Sequence, residues 1–324
     1  LGTLFLLYAC PLNVSAADIE QTSRPAPRKP YRLIYQMDSS WTLNMAKDAD
    51  DYLKGIVGFL EDSHVDALFW GDGAGGNTAN YESDVLELTG ARIGKVRPIL
   101  LKLIREGNDP PKIIPPAVKK LGIDIFFSFR INDAHDSFSL PEELPTYKVE
   151  HPEWLIGKGH PYGNHHHRNL NFAVPEVRDI KFAVIEEIFR KYDFDGLEID
   201  FMRHPPHFIP GTEPENAHIL TRFLRRVRKH LNQRGKERGR PIMLAVRVDD
   251  SLKACHLDGF DVATWIKEEI IDIISMGSGA IDIEVEEFKK LAKGTDVLVY
   301  PSLYAWPSGY MPTSEMHRAW ATNY

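Results

Sequence analysis

The sequence is poor in cysteine. It has two in 324 residues, Cys10 and Cys255. If the leader described below is removed, only Cys255 remains, so the mature chain has no intramolecular disulfide and no cysteine metal site. The chain also lacks a membrane-spanning run: the apolar, uncharged stretch 1–12 is too short to cross a bilayer. It lacks any excess of positive charge. The formal net charge is -7, and the basic clusters at 222–229 and 234–240 read as a solvated helix face and the turn after it, so no nucleic-acid partner is implied. No glycine-rich phosphate loop follows the first predicted strand, where Asp38-Ser39-Ser40-Trp41 stand instead. That argues against a Rossmann-type dinucleotide site, and no cofactor is expected. Neither HExxH nor HxxxH occurs, and no metal site is expected.

What is present is a repeated β-then-α alternation. Apolar runs suited to buried parallel strands fall at 32–37, 67–70, 123–129, 196–201, 243–248, 271–276 and 297–300. Helix-period stretches lie between them, at 45–60, 92–106 with 117–121, 177–191, 217–232, 261–270 and 283–291, and a seventh helix is expected to start at 313–324. Asp261 and Asp282 are the expected N-caps of the fifth and sixth. Such alternation makes a parallel sheet, open or closed. One (β/α)8 barrel of about 250 residues plus a short leader suits the length. The expected fold is therefore a TIM barrel over 31–324, cut before its eighth strand.

The N-terminal segment reads as an export signal. Val14-Ser15-Ala16 after the apolar run has the small residues of a signal-peptidase site, so 1–17 is expected to be the end of a signal peptide and 18–30 a polar, Pro- and Arg-rich linker. A rival reading takes Leu7-Tyr8-Ala9-Cys10 as a bacterial lipobox, with a lipid anchor on Cys10. Either reading puts the protein outside the cytoplasm.

The chemistry is concentrated at the strand ends. Side chains alternate along a strand, so in 196–201 the residues Leu197, Ile199 and Phe201 should face the outer helices. Gly196, Glu198 and Asp200 should then face the barrel lumen. Carboxylates buried there are costly unless paired or put to use. Asp200 is nearest the C-terminal mouth, where barrel active sites lie. The same parity puts Gln36 and Asp38, Trp70 and Asp72, Ser128, Arg130 and Asn132, and Arg247 and Asp249 inward. Glycoside cleavage needs one carboxyl to donate a proton and another to attack or to activate water. Asp200 is the candidate nucleophile or base and Asp249 the candidate acid, with Asp250 in reserve. Glu198 is the deeper third carboxyl, expected to pair with Arg130 or Arg247.

Loops supply the remaining candidates. Asn132, Asp133 and His135 follow the third strand in a polar run suited to binding hydroxyls. Arg203 and His204 follow Asp200, in a loop stiffened by Pro205 and Pro206. Trp41, Trp70, Tyr304 and Trp306 lie at or after strand ends and are candidates for stacking on sugar rings. His160 and His165-His166-His167 form a histidine-rich loop, read as solvent-exposed.

Three segments carry a family resemblance. His151-Pro152-Glu153-Trp154-Leu155, then Leu170-Asn171-Phe172 with Pro175-Glu176-Val177-Arg178-Asp179, then the run from Phe194 to Asp200, resemble the bacterial family-10-like glycosyl hydrolases. The similarity runs from about Tyr31 to Tyr304 and implies an exported (β/α)8 glycosidase acting on carbohydrate. The segment from Gly196 to His204 also resembles the fourth-strand motif of α-amylase-type enzymes, which implies Asp200 as nucleophile. Those enzymes carry Arg where this chain has Glu198. The run also resembles the chitinase-type DGxDxDxE motif, but Met202 stands where the catalytic Glu would be, and substrate-assisted chemistry is excluded on that ground. Two other classes compete: a barrel that binds glycans without cleaving them, and a metal-dependent hydrolase or deacetylase. The second needs His and Asp ligands gathered at strand ends, whereas here Asp dominates the strand ends and His sits in loops. The oligomeric state is left open.

Overall fold

A computed structural model describes residues 30–159, 163–277 and 282–303, together with Glu315, Arg318 and Thr322. The expected leader, Cys10, the linker up to residue 29, His160, Tyr304, Trp306 and most of the segment 313–324 lie outside the described residues. All seven predicted strands form: β1 (Ile34–Asp38), β2 (Ala67–Gly71), β3 (Asp124–Arg130), β4 (Gly196–Asp200), β5 (Met243–Val248), β6 (Ile273–Met276) and β7 (Leu298–Pro301). They pair in parallel and in chain order, β1 to β7. The architecture is α/β and of the TIM-barrel type, with seven strands among the described residues. At the sheet's two edges the Tyr300 hydroxyl donates to the Tyr31 carbonyl at 3.0 Å.

The parity of the strands decides the layers. Leu197, Ile199 and Phe201 are buried in the large core between sheet and helices, with Phe189, Leu224 and Trp265. A second, small core fills the lumen: Ala67, Phe69, Phe126, Met243, Ala245 and Ile273. Apolar residues thus plug the N-terminal end of the barrel, and polar ones begin one layer above. Gly196 is required where it stands, because a Cβ there would lie 2.2 Å from the Phe126 ring.

The helices differ more from expectation. The stretch 45–60 is two helices, Ser40–Met45 and Ala49–Val57, the second capped by Asp48, whose side chain accepts from the Asp51 amide. A helix over Pro110–Lys120 holds Pro115 and Pro116 in its interior, a pattern that propensity argues against. It starts with Pro110 and Pro111, whose missing N–H groups are no loss in a first turn. Asp261 caps as expected, accepting from the Thr264 amide. Asp282 does not, because the helix Val285–Ala292 begins after Glu284. Among the described residues no helix is long and apolar enough to cross a membrane.

Candidate active site at the barrel mouth

The ends of β1 to β5 surround a cavity of about 200 Å³ lined by Gln36, Asp38, Ser128, Arg130, Asp200, Arg203 and Arg247, among others. Its floor follows from register. Ser128 on β3 stands opposite Glu198 on β4, and Asp200 on β4 stands opposite Arg247 on β5. Neighbouring inward side chains therefore meet across the sheet.

Asp200 is 3% exposed and held by a two-point pair. Arg247 Nε donates to Oδ1 at 2.9 Å and Nη2 to Oδ2 at 2.7 Å, while the Met202 amide adds 2.9 Å to Oδ1. Burial pushes this carboxyl up, but the Arg247 guanidinium outweighs it, and the net shift is downward. Glu198, one layer deeper, has no such partner. Oε2 accepts from Ser128 Oγ at 2.5 Å and from Gln36 Nε2 at 3.2 Å. Burial and then the charge of Asp200 push its carboxyl up to about 7. The two neighbouring carboxyls are driven apart, one ionised and one holding its proton near neutrality. Gln36 ties the layers together, donating to Glu198 and accepting from Arg247 Nη1 at 2.9 Å. Arg247 therefore pairs with Asp200 rather than with Glu198: the guanidinium lies in the layer of its register partner.

Arg130 forms the other wall. Its guanidinium bridges Asp38, at 3.0 Å, and Asp133, at 2.8 Å. Burial raises the Asp38 carboxyl and Arg130 lowers it, with a net fall. Asp38, Arg130, Arg203 and Arg247 thus line the cavity with Asp200. The loop after β2 closes against this wall, and a Cβ on Gly76, at φ +68°, would lie 2.1 Å from the Arg130 carbonyl.

Four sequence candidates do not line the cavity. Trp70 faces the outer core, stacked on Phe194 with ring centroids 6.1 Å apart. The pairing of Gln36 with Phe69 gives the lumen position to Phe69, so Trp70 cannot reach a sugar in the cavity. Asn132 is buried beyond the end of β3, where strand parity no longer applies. It donates to the Leu170 carbonyl and accepts from the Leu170 amide, both at 3.0 Å. Asp249 follows the last residue of β5 and does not line the cavity. Its carboxyl is pushed up to about 8 by burial, then by Asp258 with which it shares a hydrogen bond, then by Asp250. Trp41 is 73% exposed on the surface.

Asp133, His135 and His204 come together, although their loops are far apart in sequence. Asp133 Oδ1 lies 2.8 Å from His135 Nδ1, and Oδ2 lies 3.3 Å from His204 Nδ1. Histidines from two loops thus gather at one carboxylate, which their places in the sequence did not suggest. The loops after β3 and β4 are neighbours because their strands are. Gln36 and Ser128 were legible as inward-facing but not as partners of Glu198, since pairing needs the register.

No family model matches this chain, and no curated protein matches it in sequence. Solved structures do match in fold. The PgaB (BpsB) glycoside hydrolase domain from Bordetella bronchiseptica gives a TM-score of 0.58 at 13% identity, over 90% of this chain and 90% of that one. TtGalA, an α-galactosidase from Thermus thermophilus in complex with p-nitrophenyl α-D-galactopyranoside, gives 0.52 at 10% identity, over 94% of this chain and 58% of that one. The chain thus spans less than two thirds of that enzyme's length. At such identities the likeness establishes the fold alone.

Proposed function

We propose that the chain is a glycoside hydrolase of the family-10-like kind, cleaving O-glycosidic bonds in a polysaccharide or oligosaccharide. The observation that carries the reading is the pair Glu198 and Asp200 beside the mouth cavity, with Asp200 ionised against Arg247 and Glu198 protonated near neutrality. Cleavage needs two carboxyls in those two states. Asp200 is the nucleophile or base. Glu198 is the proton donor in place of Asp249: neither carboxyl lines the cavity itself, but Glu198 lies directly beneath Asp200, which does, and is held by Gln36 and Ser128 of the lining, whereas Asp249 turns to Asp258. Glu198 and Asp200 are two residues apart on one strand face, about 7 Å between Cα atoms. Arg130, Arg203 and Asp38 are suited to hold hydroxyls. That two solved glycoside hydrolases share the fold supports the class of reaction and leaves sugar and linkage open.

The test is a glycan panel and a set of aryl glycosides, assayed with wild type, Asp200→Asn and Glu198→Gln. Asp200→Asn should abolish turnover of all substrates. Glu198→Gln should damage substrates with poor leaving groups and spare activated aryl glycosides. Glycan binding without turnover by the wild type would favour a non-catalytic barrel. Export is proposed on the run ending in Val14-Ser15-Ala16, and N-terminal sequencing of the secreted product tests it.

A further inference from the structure

The loops after β3 and β4 gather donor atoms that glycoside cleavage does not use. A carboxylate oxygen of Asp133 and one ring nitrogen each of His135 and His204 all lie within 4.8 Å of one another. Ligands about 2.0–2.1 Å from a tetrahedral zinc ion stand about 3.3 Å apart. The contacts here run to the two oxygens of one carboxylate: His135 Nδ1 is hydrogen-bonded to Oδ1 at 2.8 Å, and His204 Nδ1 is 3.3 Å from Oδ2. The rings of His135 and His204 cross at 89° with centroids 4.7 Å apart, so both imidazoles can turn a nitrogen to one point.

His204 gives a second and independent indication. Its side chain is 9% exposed. Its Nδ1 faces Asp133 Oδ2 without the geometry of a hydrogen bond, and no other hydrogen-bond partner meets it. A buried polar nitrogen in that state is costly unless something fills the gap. Asp133 is braced as a ligating carboxylate would be. The His135 amide donates to Oδ1 at 2.7 Å, and Arg130 Nη1 donates to Oδ2 at 2.8 Å. Phe138 packs on both imidazoles, with centroids 5.4 and 6.4 Å away, as an apolar wall. His135, with 17% of its side chain exposed, leaves a way in from solvent.

We infer that Asp133, His135 and His204 form a site for a borderline-soft divalent cation of the zinc type, at the rim of the barrel mouth. Two imidazoles and a carboxylate select zinc-like ions over magnesium or calcium, which prefer oxygen donors. The ring of His166, centred 5.9 Å from that of His204, is a source of a further ligand. A bound ion would tie the β3 and β4 loops together. Through Arg130, which also holds Asp38, it would brace one wall of the cavity. The inference is independent of the glycosidase reading.

The experiment uses the whole purified chain, stripped with chelator and dialysed. Zn2+ is titrated by calorimetry, and Co2+ by its visible absorption. The expected result is one saturable equivalent of Zn2+, with a Co2+ spectrum typical of tetrahedral nitrogen and oxygen ligands, and no saturation by Mg2+. His204→Gln and His135→Ala should each weaken binding about tenfold or more, on the scale known for disturbed metal sites. His204 is buried, so each variant's circular dichroism and metal-free melting point are recorded alongside. The partly exposed His135 supplies the variant expected to keep the fold. A double variant, His165→Ala with His167→Ala, should bind as the wild type does. The inference is overturned if the wild type takes up no Zn2+, or if His135→Ala binds undiminished. It is equally overturned if the His165 and His167 double variant alone loses the ion, which would assign the binding to the histidine tract.

Discussion

Two carboxyl pairs sit behind neighbouring strand ends, and they differ in two respects that matter. Glu198 with Asp200 on β4, and Asp249 with Asp258 behind β5, each contain a carboxyl raised far above its ordinary range, to about 7 for Glu198 and about 8 for Asp249. Asp200 and Asp249 are both under a tenth exposed. Arg247, however, enters only the first pair, and Asp200 lines the cavity while Asp249 does not. A raised carboxyl by itself is the mark of burial. It becomes a candidate for catalysis when a neighbour is held ionised beside it and that neighbour lines a space that a substrate can enter.

The largest expected effect separates the pairs by activity. Asp200→Asn should lower kcat by about a thousandfold or more, as loss of an essential group does, whereas Asp249→Asn, at a carboxyl that does not line the cavity, should leave kcat within about tenfold. Steady-state kinetics with circular dichroism checks both. Equal losses in the two variants would restore Asp249 to the site and collapse the distinction.

The next effect is on stability. Arg247→Met leaves Asp200 buried without its cation, and removing one partner of a buried pair costs about 3–5 kcal/mol. The shift of a urea midpoint measures it. A change below about 1 kcal/mol, the range of exposed pairs, would mean that Asp200 reaches water more freely than its burial implies.

A third effect is on pH dependence. In both pairs a carboxyl holds its proton longer in the folded state than in the unfolded chain. Stability is then fully present below the ordinary carboxyl value and is lost as pH rises to the folded one. For Glu198 that window runs from 4.5 to about 7. For Asp249 it runs from 3.8 to about 8. Glu198→Gln and Asp249→Asn should each flatten the decline of stability with pH, and Asp249→Asn over the wider range. Urea midpoints between about pH 4 and 9 decide it, and a wild-type curve that rises with pH across that range would contradict the sign.

The smallest effect sharpens the first pair. Ser128 lowers the Glu198 carboxyl through its hydrogen bond. Ser128→Ala should therefore move the upper end of the Glu198 window to higher pH and leave the Asp249 window alone. A shift of the Asp249 window would show that the two pairs are electrostatically joined.

Much of this was legible before any coordinates. Seven strands could be placed because a buried parallel strand is a short apolar run, and the inward parity of Glu198, Asp200, Arg130 and Arg247 followed from the two-residue period. The parity argument failed at Trp70 and Asn132 for different reasons. For Trp70 the phase was off by one residue, and nothing in a continuous apolar run such as Ala67-Leu68-Phe69-Trp70 fixes the phase. For Asn132 the strand had already ended at Arg130. The helix through Pro115 and Pro116 was missed because local propensity opposes it while packing of Ile114 and Val118 supports it.

The amino-acid order alone determined the alternation of strand and helix, the barrel type and the strand-end position of Asp200, because these depend on local periodicity and on solvent exclusion from apolar faces. Only the tertiary structure decided which charges meet. Arg247 joined Asp200 and left Glu198 to Ser128 and Gln36 because parallel register sets those side chains side by side. Asp249 turned to Asp258 once β5 had ended, and His135 and His204 met at Asp133 because adjacent strands bring their loops together. Electrostatic partners are a matter of distances of about 3 Å between residues far apart in the chain, and no local pattern encodes them.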